Sequence, residues 1–311
     1  MITIATLVGC AIGDALGNPF EMKLANYQPL IDWDGKFKAG GTFWVGEAGQ
    51  YTDDTLMSIA LGASLVEHQG YNAEDAAAKY LAWMESGNTR GIGGTTAAAL
   101  TRLKFGASIT DSGLIVNGDG TPVGGNGTAM RASPLGLVYR NDLMKLMEAA
   151  VQDASITHNS LEPKMGSVAV SLATALLANR VSTPQSVVWD VSDVISDSIV
   201  RSKLERVQWW LSQGTDPMSI AAEALENIGS AGYVPETVGA AFFCLGATDN
   251  FRDAVVMAVK AGGDTDTTAA IVGAMAGTYY GLEGIPQEYK DEVEHGDILQ
   301  ELTEHLLEVE V

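Results

Sequence analysis

Apolar residues recur at three- and four-residue spacing along most of this chain, and Pro and Gly fall mostly between the periodic stretches. The pattern predicts helices over 3–16, 55–68, 73–86, 94–104, 142–153, 164–178, 185–199, 202–212, 217–228, 235–245, 251–260, 266–280 and 297–309. Period-two alternation is scarce, and Leu114 to Val116 is the best candidate strand. The expected fold class is therefore all-α and compact, a single domain over 1–311. The last helix places Ile298, Leu302, Leu306 and Val309 on one side, against an acidic, solvated face. No linker, internal repeat or low-complexity tract interrupts the pattern.

Two predicted helices open on clustered oxygen-bearing side chains. In "YTDDTLMSIALGASLVEH", Thr52, Asp53, Asp54 and Thr55 stand just before a small-residue face of Leu56, Ile59, Ala60, Ala63 and Ser64. In "AGGDTDTTAAIVGAMAGTYYG", Asp264, Asp266 and Thr267 follow Gly262-Gly263 and precede a run of small apolar residues. Asp and Thr are good N-caps, and acids in a first turn suit the helix dipole. One cap oxygen satisfies that need; three such side chains in four residues make a set of hard-cation donors. Two acid pairs that converge repel unless cations lie between them. Mg²⁺ and Mn²⁺ take carboxylate and hydroxyl oxygens, and a pair of them can serve one reaction.

Composition narrows the class. The chain has 311 residues, 46% of them hydrophobic, which is enough for a sizeable core. Net charge is −21, from 39 acids and 18 bases, with no basic stripe, so nucleic acid is not an expected partner. The acids concentrate between Glu283 and Val311. The apolar run from Ala269 to Leu282 is too short to span a bilayer and is headed by acids, so no membrane association is expected. The start, "MITIATLVGCAIGDALG", lacks a basic region and carries Asp14 inside its apolar part, unlike a signal peptide. Cys10 and Cys244 are the only cysteines, which fits a reducing cytoplasm without disulfides or a thiolate zinc site.

Other loops add chemistry. "TRGIGGTT" offers Gly91, Gly93 and Gly94 ahead of a helix, where successive backbone N–H groups can cradle an anion; no Lys follows, so it is not a P-loop. "VGGNGTAMRASPLGL" holds a second backbone nest, Gly124, Gly125, Asn126 and Gly127, and one of the few positive charges, Arg131. "SITHNS" holds His158, the one histidine in a polar break between helices; His68, His295 and His305 read as solvated. Glu21, after Pro19-Phe20 in "GCAIGDALGNPFE", reads by local pattern as a surface residue.

In order along the chain, "GCAIGDALGNPFE", "YTDDTLM", "RGIGGTT", "GNGTAMRASPLGL", "THNS", "GGDTDTTAAIVGAMAGTYYG" and the "GIP" at Gly284 to Pro286 resemble the ADP-ribosylglycohydrolase family, of the dinitrogenase-reductase-activating type, over roughly residues 3–290. The resemblance implies an orthogonal helix bundle with two Mg²⁺ or Mn²⁺ ions in a cleft. It implies Thr52, Asp53, Asp54, Asp264, Asp266 and Thr267 as metal ligands. It places Glu21 near the reactive ribose, with Glu21, Asp53 and Asp266 as the catalytic acids. The Gly91–Thr95 loop (Gly91, Gly93, Gly94, Thr95) and Gly124–Gly127 match loops that cradle pyrophosphate and ribose, and His158 matches a ligand-contacting histidine. Some relatives carry an acid where Gly91 stands, so the general base and the preferred linkage vary within the family. The implied reaction is hydrolysis of the glycosidic bond between ADP-ribose and an acceptor. The implied partner is an ADP-ribosylated protein or a small ADP-ribosyl conjugate; of oligomeric states, a monomer is the favoured expectation.

Two rival readings are an aspartate-rich, Mg²⁺-dependent prenyl or terpene synthase and a non-catalytic ADP-ribose-binding protein of the same fold. The synthase signature needs a further Asp after the acid pair, where "DDTLM" ends in Met57. Against a decayed site, all six ligand positions retain oxygen donors.

Overall fold

The structure is a computed structural model that describes residues 2–311. Among these residues the α-helices are α1 (Thr6–Gly17), α2 (Gln28–Ile31), α3 (Asp53–His68), α4 (Ala73–Glu85), α5 (Gly94–Lys104), α6 (Ile109–Ser112), α7 (Ser133–Val138), α8 (Leu143–Thr157), α9 (Leu161–Ala178), α10 (Val187–Val194), α11 (Ile199–Leu211), α12 (Pro217–Ile228), α13 (Val234–Gly246), α14 (Phe251–Lys260), α15 (Thr265–Gly284), α16 (Gln287–Glu292) and α17 (Gly296–Glu308), and no sheet is present. Every predicted helix is present: α5, α12 and α14 have the expected ends, and the others have shifted ones. The four that periodicity missed, α2, α6, α7 and α16, are too short to display a period. The expected strand at Leu114–Val116 is not formed; one isolated bridge joins Val116 to Pro122.

α1 and α15 form the centre. All of α1 is buried, as is α15 from Thr265 to Thr278. Their backbones touch through small residues: a Cβ on Gly13 would lie 1.9 Å from the Ala269 carbonyl oxygen, and one on Gly273 would lie 2.0 Å from the Gly9 carbonyl oxygen. Rising numbers on α1 meet falling numbers on α15, so the two run antiparallel. The small-residue stripe thus sets the distance at which Asp14 and Asp266, on facing helices, can meet.

α17 packs on this centre with the expected stripe except at its first position, where Leu299 takes the place of Ile298; Val309 is buried as expected. Leu299, Thr303 and Leu306 are buried and Leu302 is half-buried, whereas Ile298 is exposed. The hydroxyl of Thr303 accepts the Leu7 N–H at 3.4 Å. Its acids face outward.

Candidate active site

The turn into α15 is built by Gly262 and Gly263, with φ of +70° and +73°, values that suit glycine. It is tied on both sides. Met22 N–H donates to the Gly263 carbonyl at 2.7 Å, Gly263 N–H to the Lys23 carbonyl at 2.7 Å, and Asp264 N–H to the Ser230 carbonyl at 2.8 Å. Asp264 occupies the N-cap position, yet its side chain makes no cap hydrogen bond. Its Oδ2 accepts from Asn126 Nδ2 at 2.7 Å instead. Capping therefore does not account for this acid.

The same holds at α3. Its N-terminus is capped from another helix: Asp14 accepts Thr52 N–H at 3.0 Å, Thr52 O–H at 2.8 Å, Thr55 N–H at 3.1 Å and Thr55 O–H at 2.7 Å. Asp53 and Asp54 are left for another purpose. Oδ1 of Asp54 is buried without any hydrogen-bond partner among the described residues, a costly state for a carboxylate oxygen.

The two helix starts converge. Asp14, Asp54 and Asp266 each bring a carboxylate oxygen within 4.8 Å of the others; Glu21, Asp264 and Asp266 do the same. The two groups share Asp266. Glu21 is 8% exposed, held by the turn Asn18–Phe20 and by Thr42 O–H, which donates to its carbonyl at 2.5 Å. Its local sequence predicts a surface position, and the structure buries it instead, because the bonds of Met22 and Lys23 to Gly263 fold the segment inward.

The electrostatics follow from packing. Burial, then the charges of Asp264, Asp53 and Asp14, push Glu21 from 4.5 up to about 8. Burial, then Asp14, raises Asp53 from 3.8 to about 7. Burial and neighbouring acids hold Asp54 and Asp266 well above the carboxylate range. Asp14 reaches about 6, since its four Thr donors oppose the effect of burial. These carboxyls resist ionising together without a compensating positive charge.

A cleft of about 260 Å³ lies over the acids. Its walls include Glu21, Asp53, Asp54, Asp264, Asp266 and Thr267 on the acidic side. Gly91, Gly93, Gly94 and Thr95 line a second side, at the start of α5, where the N-cap Gly93 supplies no side chain. Gly125, Asn126, Gly127 and His158 line a third. Two expected residues lie off the wall. Thr52 sits beneath it, its hydroxyl turned to Asp14, with Asp54 Oδ2 at 3.3 Å. Gly124 sits behind it, its carbonyl accepting Val234 N–H at 2.8 Å and its Cα covered by the Tyr233 ring.

Sequence reasoning passed over Asp14 as a site residue, although an acid inside a wholly buried apolar helix was its signal. It also missed Phe43, which lines the cleft mouth while 66% exposed; "TFWV" carries no motif that would have marked it.

An all-helical protein whose glycine loops face a pit of buried carboxylates is the class this geometry defines. The chain belongs to the ADP-ribosylglycohydrolase family, whose sequence model matches residues 3–311. It is 28% identical to the ADP-ribosylarginine hydrolase Tri1 of Pseudomonas putida, over 97% of this chain and 76% of that protein. It is 28% identical to the ADP-ribosyl-[dinitrogen reductase] glycohydrolase of Rhodospirillum rubrum, over 91% and 87%. Identity to the human ADP-ribosylhydrolase ARH3 is 25%, over 93% and 88%. A solved structure described as an ADP-ribosylglycohydrolase-related protein complex superposes with a TM-score of 0.80 at 26% identity, covering 99% of this chain and 97% of that one. The protein is a glycosidic-bond hydrolase of this family, and the synthase and non-catalytic readings fall away. Among the described residues no helix is long and apolar enough to cross a membrane.

Proposed function

We propose that this chain, as one domain, hydrolyses the bond between ADP-ribose and a modified protein side chain such as Arg, or the equivalent bond of a small ADP-ribosyl conjugate. The observation that carries the reading is the pair of buried carboxylate groups that share Asp266 at the floor of a glycine-lined cleft. The donor set is all oxygen, and Asp54 Oδ1 has no hydrogen-bond partner among the described residues; both features fit a hard divalent cation. Thr52, Asp53, Asp54, Asp264, Asp266 and Thr267 would hold two such ions, Mg²⁺ or Mn²⁺. When bound, these ions supply charge neutralisation and Lewis acidity toward ribose oxygens and water.

The rest falls to the chain's own groups. The backbone N–H groups at Gly91–Thr95 and the loop at Gly124–Gly127 suit a pyrophosphate without bringing lysines into an acidic site. Glycosidic cleavage develops positive charge on the ribose, which the surrounding carboxylates stabilise. Glu21 stands at the cleft wall, where burial raises its affinity for a proton, so it can take one from water or return one to the leaving group. Asp53 and Asp266 assist in the same step. The names of the Tri1 and dinitrogen reductase relatives favour a protein substrate, the former an arginine linkage. The buried free thiols of Cys10 and Cys244 fit the cytoplasm.

The test is incubation with ADP-ribosylated substrates of defined linkage, with Mg²⁺, with Mn²⁺ and with a chelator. Metal-dependent release of free ADP-ribose is expected, fastest from arginine. Absence of release from every linkage in the presence of either metal would overturn the proposal.

A further inference from the structure

His158 is one of the cleft residues, and its chemistry is set by a buried chain behind it. Arg131 is fully buried. Its Nε donates to Asp153 Oδ2 at 2.9 Å and its Nη2 to the Asp153 carbonyl at 3.0 Å. Tyr80 O–H donates to the other Asp153 oxygen at 2.8 Å, and the guanidinium lies 4.6 Å from the Tyr80 ring centroid. Nη1 of Arg131 divides between two acceptors, the Gly127 carbonyl at 2.8 Å and Thr157 Oγ1 at 2.9 Å. Thr157 Oγ1 then meets His158 Nδ1 at 2.9 Å.

The proton count along this chain has one solution. Arg131 can only donate, so it occupies a lone pair of Thr157 Oγ1. Thr157 is fully buried, and among the described residues Arg131 and His158 are the only hydrogen-bond partners of its side chain. Its own hydroxyl proton must find an acceptor, and Nδ1 is the one available. Nδ1 therefore carries no proton, and in a neutral imidazole the proton is then on Nε2. That nitrogen lies at the glycine loop: a Cβ on Gly125 would sit 3.1 Å from it.

We propose that Arg131, acting through Thr157, locks His158 as the Nε2–H tautomer, so that His158 serves the cleft as a neutral hydrogen-bond donor and not as a base. Arg131 and Thr157 are positioning residues, and the same guanidinium fixes the Gly127 carbonyl and hence the adjoining loop. Burial, then the Arg131 charge, independently holds the ring neutral, lowering its pKa from 6.5 to about 3. The ligand atom that such a donor recognises is an uncharged or anionic oxygen, such as one of a phosphate. The choice of ADP-ribose as the probe rests on the function proposed above.

The experiment is nitrogen-15 NMR of the histidine rings in the whole protein at neutral pH, with His158 assigned from the His158→Gln spectrum. A protonated Nε2 and a bare Nδ1 are expected. A protonated Nδ1, or an imidazolium, would overturn the lock. In Thr157→Val both tautomers should be populated, and ADP-ribose should bind about 3- to 10-fold more weakly, on the scale of one lost hydrogen bond. Thr157→Ser keeps the hydroxyl and should restore both. A folded Thr157→Val that keeps the Nε2–H tautomer alone would show that Thr157 does not set it. A wild-type protein with the expected tautomer but no affinity for ADP-ribose would support the lock and overturn the ligand reading.

Discussion

Asp14, in the last turn of α1, accepts both the backbone N–H and the hydroxyl of Thr52, at 3.0 and 2.8 Å. A helix start is thus capped by a carboxylate from a different helix. The consequence is local and chemical: the acids that a capping motif would have used, Asp53 and Asp54, face the cleft.

Replacing Asp14 with Asn puts an amide N–H₂ where Thr52 and Thr55 present donors. Buried donors without acceptors cost about 1–3 kcal/mol, so unfolding free energy should fall on that scale. The measurement belongs in saturating Mg²⁺, where relief of acid–acid repulsion contributes least. An unchanged denaturation midpoint would show that the cap from α1 is dispensable.

Divalent cations should stabilise the fold. The convergent acids repel, and a ligand that binds only the folded state raises stability by mass action. Tm should rise on adding Mg²⁺ or Mn²⁺, and the rise should shrink in Asp266→Asn, because Asp266 belongs to both carboxylate groups. A wild-type Tm indifferent to both metals counts against the cation site.

The metal-free protein should lose stability as pH rises. Glu21 moves from 4.5 to about 8 and Asp53 from 3.8 to about 7, mainly through burial and then neighbouring acids. A carboxyl with a raised folded pKa binds its proton more tightly folded than unfolded. Its stabilising effect is complete below the unfolded value and is lost as pH climbs through the folded one. Urea midpoints in chelator should therefore decline between about pH 4 and pH 8, and the decline should flatten with Mg²⁺. A midpoint that climbs across that window would contradict the assigned directions.

What the sequence made legible divides along physical lines. Long amphipathic helices show their period, so all of them could be read; α7 could not, since Ser133–Val138 is short and buried all round. On α17 a single residue was misassigned, because both Ile298 and Leu299 fit an apolar stripe and only the packing against α1 and α3 selects between them. The acid clusters were legible as local excess over capping. Their meeting was expected from the family resemblance and not from any local pattern, since it depends on the close approach of α1 and α15. Asp14 was visible as an anomaly, but its role needed the position of α3. Glu21 gave the opposite of its local signal, because bonds from Met22 and Lys23 to Gly263, far along the chain, decide where it lies.

Glu21 therefore offers the sharpest separation of local from tertiary meaning. Glu21→Gln keeps size and hydrogen-bonding capacity but removes the charge and the proton acceptor. A surface glutamate would tolerate this. At the cleft wall, with Asp264 and Asp266 in reach, the change removes a general acid–base group, which typically contributes ~10²–10⁴-fold, so turnover should fall on that scale. ADP-ribose affinity should survive, since the loops at Gly91–Thr95 and Gly124–Gly127 are untouched. Metal-free stability should rise at the alkaline end, where the glutamate would otherwise ionise beside other carboxylates. The paired measurement is hydrolysis rate and ADP-ribose affinity on one preparation of the variant. Near-normal turnover would remove Glu21 from the chemistry, and loss of affinity together with loss of fold would make its role structural.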